Sequence, residues 1–222
     1  QEDGIVKTWK LPQKLEKLLI GHKKSVNSIR FSPDSQKIVT ASSDGTVRLW
    51  DLNGNELSSF FNPETIKSGV ESVRFIDKGK RLVTGGGKGD SKVRIWDLDG
   101  ALRQEFDTKQ GGIHSVNIND SDNINNYVDR ILSTTGFNGS VKLWSLNGSL
   151  INTLRLKEIG RTSRFSLNGK FVVTAGNNGI VQIWDIFEKK SWILSGHQGD
   201  VNSLGFSPNG NMLATVGNDK LV

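Results

Sequence analysis

Thr40 follows His22 by eighteen residues and Asp44 follows it by twenty-two, and the same intervals separate His197 from Thr215 and Asp219. A hydroxyl, an imidazole and a carboxylate are the parts of a hydrolase triad: the hydroxyl attacks, the imidazole takes its proton, and the carboxylate holds the ring. Trp50, ten residues after Thr40, offers the same groups another use. A buried indole N–H needs an acceptor, which a threonine hydroxyl supplies. The hydroxyl donates its own proton to one histidine nitrogen, and the other ring N–H points to the aspartate. The structural use is preferred over the catalytic one. The hydroxyl is committed to the indole, the set occurs twice, and residue types alone do not make a site.

Other chemistry is scarce. There is no cysteine, which removes disulfides, thiol catalysis and cysteine-ligated zinc and suits a reducing cytoplasm. The three histidines lack ligand spacing, so neither a metal nor a cofactor is expected. The stretch "TGGGKGDS" (84–91) lacks the ending of a phosphate loop and reads as an enlarged turn. "DSDNINNYVD" (120–129) lacks the glycine and terminal glutamate of a calcium loop and reads as a solvated insertion. The formal charge is +6. The basic residues are scattered without a run of five, so nucleic-acid binding is kept only as an alternative. No stretch has the length of a membrane span and no apolar N-terminal run resembles a signal peptide, so no membrane role is expected.

The tetrad residues sit in a repeated setting. Trp9, Trp50, Trp96, Trp144 and Trp184 each follow an alternating strand such as "TVRLW", at intervals of forty to forty-eight residues. An apolar residue precedes threonine by nine at Phe31/Thr40, Phe75/Thr84, Phe165/Thr174 and Phe206/Thr215. Threonine precedes tryptophan by ten at Thr40/Trp50, Thr134/Trp144 and Thr174/Trp184. Longer intervals are loop insertions, which loops absorb at low entropic cost. Within one period, "VNSIRF" (26–31), "KIVTAS" (37–42), "TVRLWDL" (46–52) and "ELSSF" (56–60) alternate and are separated by Ser, Pro, Asp, Asn and Gly turns. That pattern predicts four antiparallel strands per repeat, the signature of propeller blades.

The motifs "GH" (21–22, 196–197), "FSPD" (31–34), "FSPN" (206–209) and "WD" (50–51, 96–97, 184–185) resemble the WD-repeat β-propeller family along essentially the whole chain. The wording "FSPD…DGTVRLWDLNGNEL" is also similar to repeats of bacterial, especially cyanobacterial, multidomain proteins. The resemblance implies an all-β fold of four-stranded antiparallel blades. It also implies a hydrogen-bonded structural tetrad, here His22, Thr40, Asp44 and Trp50, and again His197, Thr215 and Asp219. The expected division is a partial blade at 1–20, blades at 21–60, 61–106, 107–154 and 155–194, and a partial blade at 195–222. These amount to about five repeats, read as a fragment of a larger ring of about seven blades and as an open arc.

The other blades depart from the tetrad. Counting places Lys109, Ile66, and Leu156 or Lys157 where histidine would stand, and Asn138 and Asn178 replace the turn aspartate that Asp90 and Asp3 retain. His114 reads as a strand-surface histidine. With no reactive group above background, the expected function is a non-catalytic scaffold or sensor platform for a partner protein. A nucleic-acid-binding propeller and a propeller hydrolase are the alternatives. The resemblance implies partner contacts on the face bearing the tight turn and the loop before the first strand: Lys24, Ser43, Lys67, Phe137, Arg161, Asn177 and Asp200. Phe137 stands where other turns carry serine or asparagine, and an aromatic there suits an interface anchor.

Overall fold

The computed structural model describes residues 4–10, 14–60, 68–119, 130–154, 160–207 and 209–219. Lys67, Ile66, Asp3, Leu156, Lys157 and the insertion 120–129 lie outside them. The chain divides into two compact units, Gln1–Asp107 and Thr108–Val222. Among the described residues the regular structure is strand, with short 3-10 turns and no α-helix.

In the first unit, β1 (Val6–Lys10) and β2 (Lys14–Leu19) form a two-stranded antiparallel sheet. A four-stranded blade follows, in the order β3 (Val26–Phe31), β4 (Lys37–Ser42), β5 (Val47–Asp51), β6 (Glu56–Phe60). The next blade is β7 (Val70–Ile76), β8 (Arg81–Gly86), β9 (Lys92–Asp97), β10 (Leu102–Asp107). The second unit repeats the plan. Its first blade is β11 (Ile113–Ile118), β12 (Ile131–Gly136), β13 (Val141–Ser145) and β14 (Leu150–Leu154). Its second is β15 (Gly160–Phe165), β16 (Phe171–Gly176), β17 (Val181–Asp185) and β18 (Lys190–Leu194), and the pair β19 (Val201–Phe206) and β20 (Leu213–Gly217) follows.

Each meander closes through turns that the local sequence dictates. Gly45 N–H donates to the Ser42 carbonyl at 3.0 Å. That turn holds Gly45 at φ +87°, which glycine adopts without strain. The second strands of the four complete blades are almost wholly buried, and the apolar cores lie between consecutive blades within each unit. Val39, Leu49 and Phe60 pack on Val73, Phe75, Leu82 and Trp96 of the next blade. Ile131, Leu143 and Leu154 meet Phe165, Val172 and Trp184 in the same way. A blade has two faces to bury and no core of its own, so the same strand must be repeated.

One irregularity repeats as faithfully as the strands. The first strand of every blade shifts register at its second residue, between Val26/Ser28, Val70/Ser72, Ile113/Ser115, Gly160/Thr162 and Val201/Ser203. A bulge frees one residue from cross-strand pairing and re-aims its side chain. The freed residues are Asn27, Glu71, His114, Arg161 and Asn202.

Candidate functional site

The hydrogen bonds around Thr40 run from indole to carboxylate. Trp50 Nε1–H donates to Thr40 Oγ1 at 2.9 Å. Thr40 Oγ1 lies 2.7 Å from His22 Nε2, and His22 Nδ1 lies 3.1 Å from Asp44 Oδ2. The Thr46 hydroxyl accepts from the same Nδ1–H at 2.9 Å and donates to Asp44 Oδ1 at 2.7 Å. Lys23 N–H also donates to Asp44, at 2.8 Å. This order requires the neutral ring with its proton on Nδ1. Burial pushes the Asp44 carboxyl up. The Thr46 hydroxyl, the N–H groups of Lys23 and Thr46, and the His22 ring outweigh it and hold the carboxyl at about 2. Burial lowers His22 below its ordinary value, and Asp44 offsets that only in part. The wiring is that of a triad, but Thr40 is 0 % exposed. A nucleophile that no substrate reaches does no acyl transfer.

Both shifts act in the same direction on acidification. The fold favours neutral His22, so its contribution is full above pH ~6.5 and is lost as pH falls from there toward the lowered folded value. The fold favours ionised Asp44, so that contribution is full above its unfolded value of 3.8 and is lost as pH falls toward about 2. Between about pH 7 and about pH 5 the melting temperature of the native chain should therefore fall more than that of His22→Gln. Equal slopes in the two proteins would remove His22 as the source.

The second set is built alike. His197 Nε2 lies 2.8 Å from Thr215 Oγ1, and His197 Nδ1 lies 2.9 Å from Asp219 Oδ1. Elsewhere the threonine–indole bond persists without histidine: Trp96 to Thr84 at 2.9 Å, Trp144 to Thr134 at 2.8 Å, Trp184 to Thr174 at 3.0 Å. In the β11–β14 blade the histidine place belongs to Gln110, not Lys109. Thr134 Oγ1–H donates to Gln110 Oε1 at 2.6 Å, and Gln110 Nε2 donates to Ser140 Oγ at 2.9 Å. Ser140 Oγ–H donates in turn to Asn138 Oδ1 at 2.7 Å. The amides reproduce the relay without a titrating group. Counting misplaces the residue because Gln110 stands fourteen residues after Trp96, where His22 and His197 stand thirteen after Trp9 and Trp184, in a loop of the same overall length. Lys109, at φ +55°, reverses the chain so that fully buried Gln110 points inward. In the β7–β10 blade, Arg94 closes on the turn carboxylate Asp90 at 2.7 Å and on Glu105 at 2.6 Å.

The partner-binding candidates fall into two groups. In the first unit Lys24 is exposed, and half-buried Ser43 accepts from Asn27 Nδ2 at 3.0 Å. In the second unit Arg161 donates to Asn177 Oδ1 at 2.8 Å and to Asp200 Oδ2 at 2.9 Å. Phe137 stacks on His114, with ring centroids 3.7 Å apart and an interplanar angle of 19°. Burial and then the Arg161 charge hold His114 below its ordinary value. In four of the five blades the bulged residue of the first strand reaches the turn after the second: Asn27 to Ser43, His114 to Phe137, Arg161 to Asn177, Asn202 to Asn218. Of these four bulged residues, sequence alone singles out only Arg161 as a binding candidate. The one accessible signal for the others is their shared place, second in each first strand. The described residues hold no group of three or more histidines, cysteines or carboxylates placed for a metal.

Four-stranded antiparallel blades, cores between consecutive blades and a threonine–indole bond in every complete blade define a β-propeller repeat module. The family description "WD domain, G-beta repeat" matches residues 13–51, 56–97, 149–185 and 188–222, and the chain belongs to this WD40 family. It is similar to apoptotic protease-activating factor 1 of Rattus norvegicus, 26% identical over 230 residues that cover 97% of this chain and 17% of that protein. It is similar to a serine-threonine kinase receptor-associated protein of Dictyostelium discoideum, 29% identical over 90% of this chain and 64% of that protein. It is also similar to a guanine nucleotide-binding protein subunit beta of Zea mays, 26% identical over 93% of this chain and 57% of that protein. The chain thus spans less than two thirds of each relative. The matched segments skip residues 98–148, where Gln110 replaces histidine; the blade forms there all the same.

Proposed function

We propose that the chain is a non-catalytic scaffold that binds a partner protein, with His114, Phe137, Arg161, Asn177 and Asp200 as the recognition face. Lys24, Ser43 and Lys67, in the first unit, are separate candidate contacts. The observation that carries this reading is the His114–Phe137 stack beside the Arg161–Asp200 pair, all held by bulges and tight turns of packed blades. Aromatic and arginine side chains on a rigid frame are the residue types that concentrate binding energy. The burial of Thr40 supports the non-catalytic part. The name of one relative describes association with a receptor, and that of another a subunit. The absence of cysteine supports residence in a reducing compartment such as the cytoplasm.

Affinity for a partner captured on the immobilised chain tests the face. Phe137→Ala should weaken it by about tenfold or more. The melting temperature should change by less than about 2 °C, because a turn residue adds little to the core. Phe187→Ala, in the β17–β18 loop at the opposite end of a blade, is the control and should leave affinity unchanged. Unchanged affinity in Phe137→Ala, or an equal loss in the control, would refute the assignment.

A further inference from the structure

Arg164 lies on β15, the first strand of its blade, beside β11, the first strand of the preceding one. Its Nη1 donates to Asn117 Oδ1 on β11 at 2.8 Å and to the Ser163 carbonyl at 3.0 Å. Asn117 is itself fixed, since its Nδ2 donates to Ser115 Oγ and to the Ser163 carbonyl, each at 2.8 Å. The guanidinium is therefore clamped through one nitrogen. Nε and Nη2 have no acceptor among the described residues. Those two nitrogens form the side-on edge of the fork, whose parallel N–H bonds match two oxygens of one oxyanion.

The Arg164 side chain is partly buried and no described carboxylate pairs with it. Burial alone lowers its pKa, with no acid opposing. Two other arginines are neutralised by acids: Arg94 meets Asp90 and Glu105, and Arg161 meets Asp200. A partly buried cation without a counter-charge is a liability unless an anion completes it. Arginine also recurs at this strand position in the first unit, as Arg30 on β3 and Arg74 on β7. Arg30 Nη1 likewise folds back on the carbonyl of its preceding residue.

We propose that the Nε–Nη2 edge of Arg164 binds a small oxyanion, phosphate or a free carboxylate. The test is thermal unfolding of the whole chain in phosphate, acetate and chloride at equal ionic strength. For a millimolar site, about 20 mM phosphate should raise the melting temperature by about 3–6 °C over chloride. Arg164→Leu should abolish the rise and be no less stable than the native chain in chloride. A rise in acetate as large as in phosphate assigns a carboxylate ligand, and a larger one in phosphate assigns phosphate. Should Arg164→Leu not fold, Arg164→Gln replaces it, read by the 31P line width of added phosphate. Broadening by the native chain and not by the variant is expected. No shift with either anion, or a shift or broadening kept in the variant, overturns the proposal.

Discussion

Replacing Thr40 with valine should destabilise the first unit by about 2–6 kcal/mol, although the two side chains have the same shape. The valine removes the acceptor of the Trp50 N–H and the donor to His22 Nε2 in one step. Trp50 is 1 % exposed and the His22 side chain 0 %, so water replaces neither bond. Each orphaned buried group costs about 1–3 kcal/mol, and the two losses set the range. At about 2–4 °C per kcal/mol, the melting temperature should fall by about 4–24 °C. Thr40→Ser keeps the hydroxyl and should retain most of the stability. Denaturant unfolding followed by tryptophan fluorescence reads both variants. A loss below about 0.5 kcal/mol would show that the tetrad does not hold the blade. An ester hydrolysis rate that vanished in Thr40→Val at full stability would return the set to catalysis.

The same bonds mark how far the sequence could be read. The bounds of β3, β4 and β6 coincide with runs found by alternation and by turn residues, because these short meanders are governed by local chemistry. The threonine–tryptophan interval was equally legible, since two residues ten apart across a hairpin need no long-range information. Gln110 was not legible. Its role depends on a relay residue set one place later in a loop of unchanged length and on a left-handed turn at Lys109, which residue counting passes over. Arg94 was missed for a related reason: at the same strand position Arg48 pairs instead with Glu56, and only the fold reveals which carboxylate each guanidinium meets. The bulges were hidden most completely. A register shift leaves composition and alternation intact while turning His114 onto Phe137 and Arg161 toward Asp200. Phe137 was therefore singled out from the sequence and its stacking partner was not.

Gly179→Ala should disturb the second unit by a different route and on a similar scale. Gly179 sits in the turn between β16 and β17 at φ +71°, and a methyl group there would collide with the His197 carbonyl. The left-handed conformation costs an alanine about 1–2 kcal/mol and the forced repacking about 1–3 kcal/mol, so a loss of about 2–5 kcal/mol is expected. The neighbour cannot yield cheaply, because it is backbone and because the His197 ring is fixed to Thr215 at 2.8 Å and to Asp219 at 2.9 Å. Displacing the carbonyl pulls on both bonds, and the damage should appear as lost amide-exchange protection across β19 and β20. Gly4 stands in the same relation to His22, whose carbonyl oxygen would lie 2.6 Å from a methyl group added there, so this close approach belongs to the repeat. Gly196→Ala is the control, because nothing lies within 4 Å of the added methyl group. Protection of β19 and β20 in Gly179→Ala equal to that in Gly196→Ala would mean that the turn glycine does not seat the histidine loop. The tetrad would then be positioned by its own hydrogen bonds rather than by the blade before it.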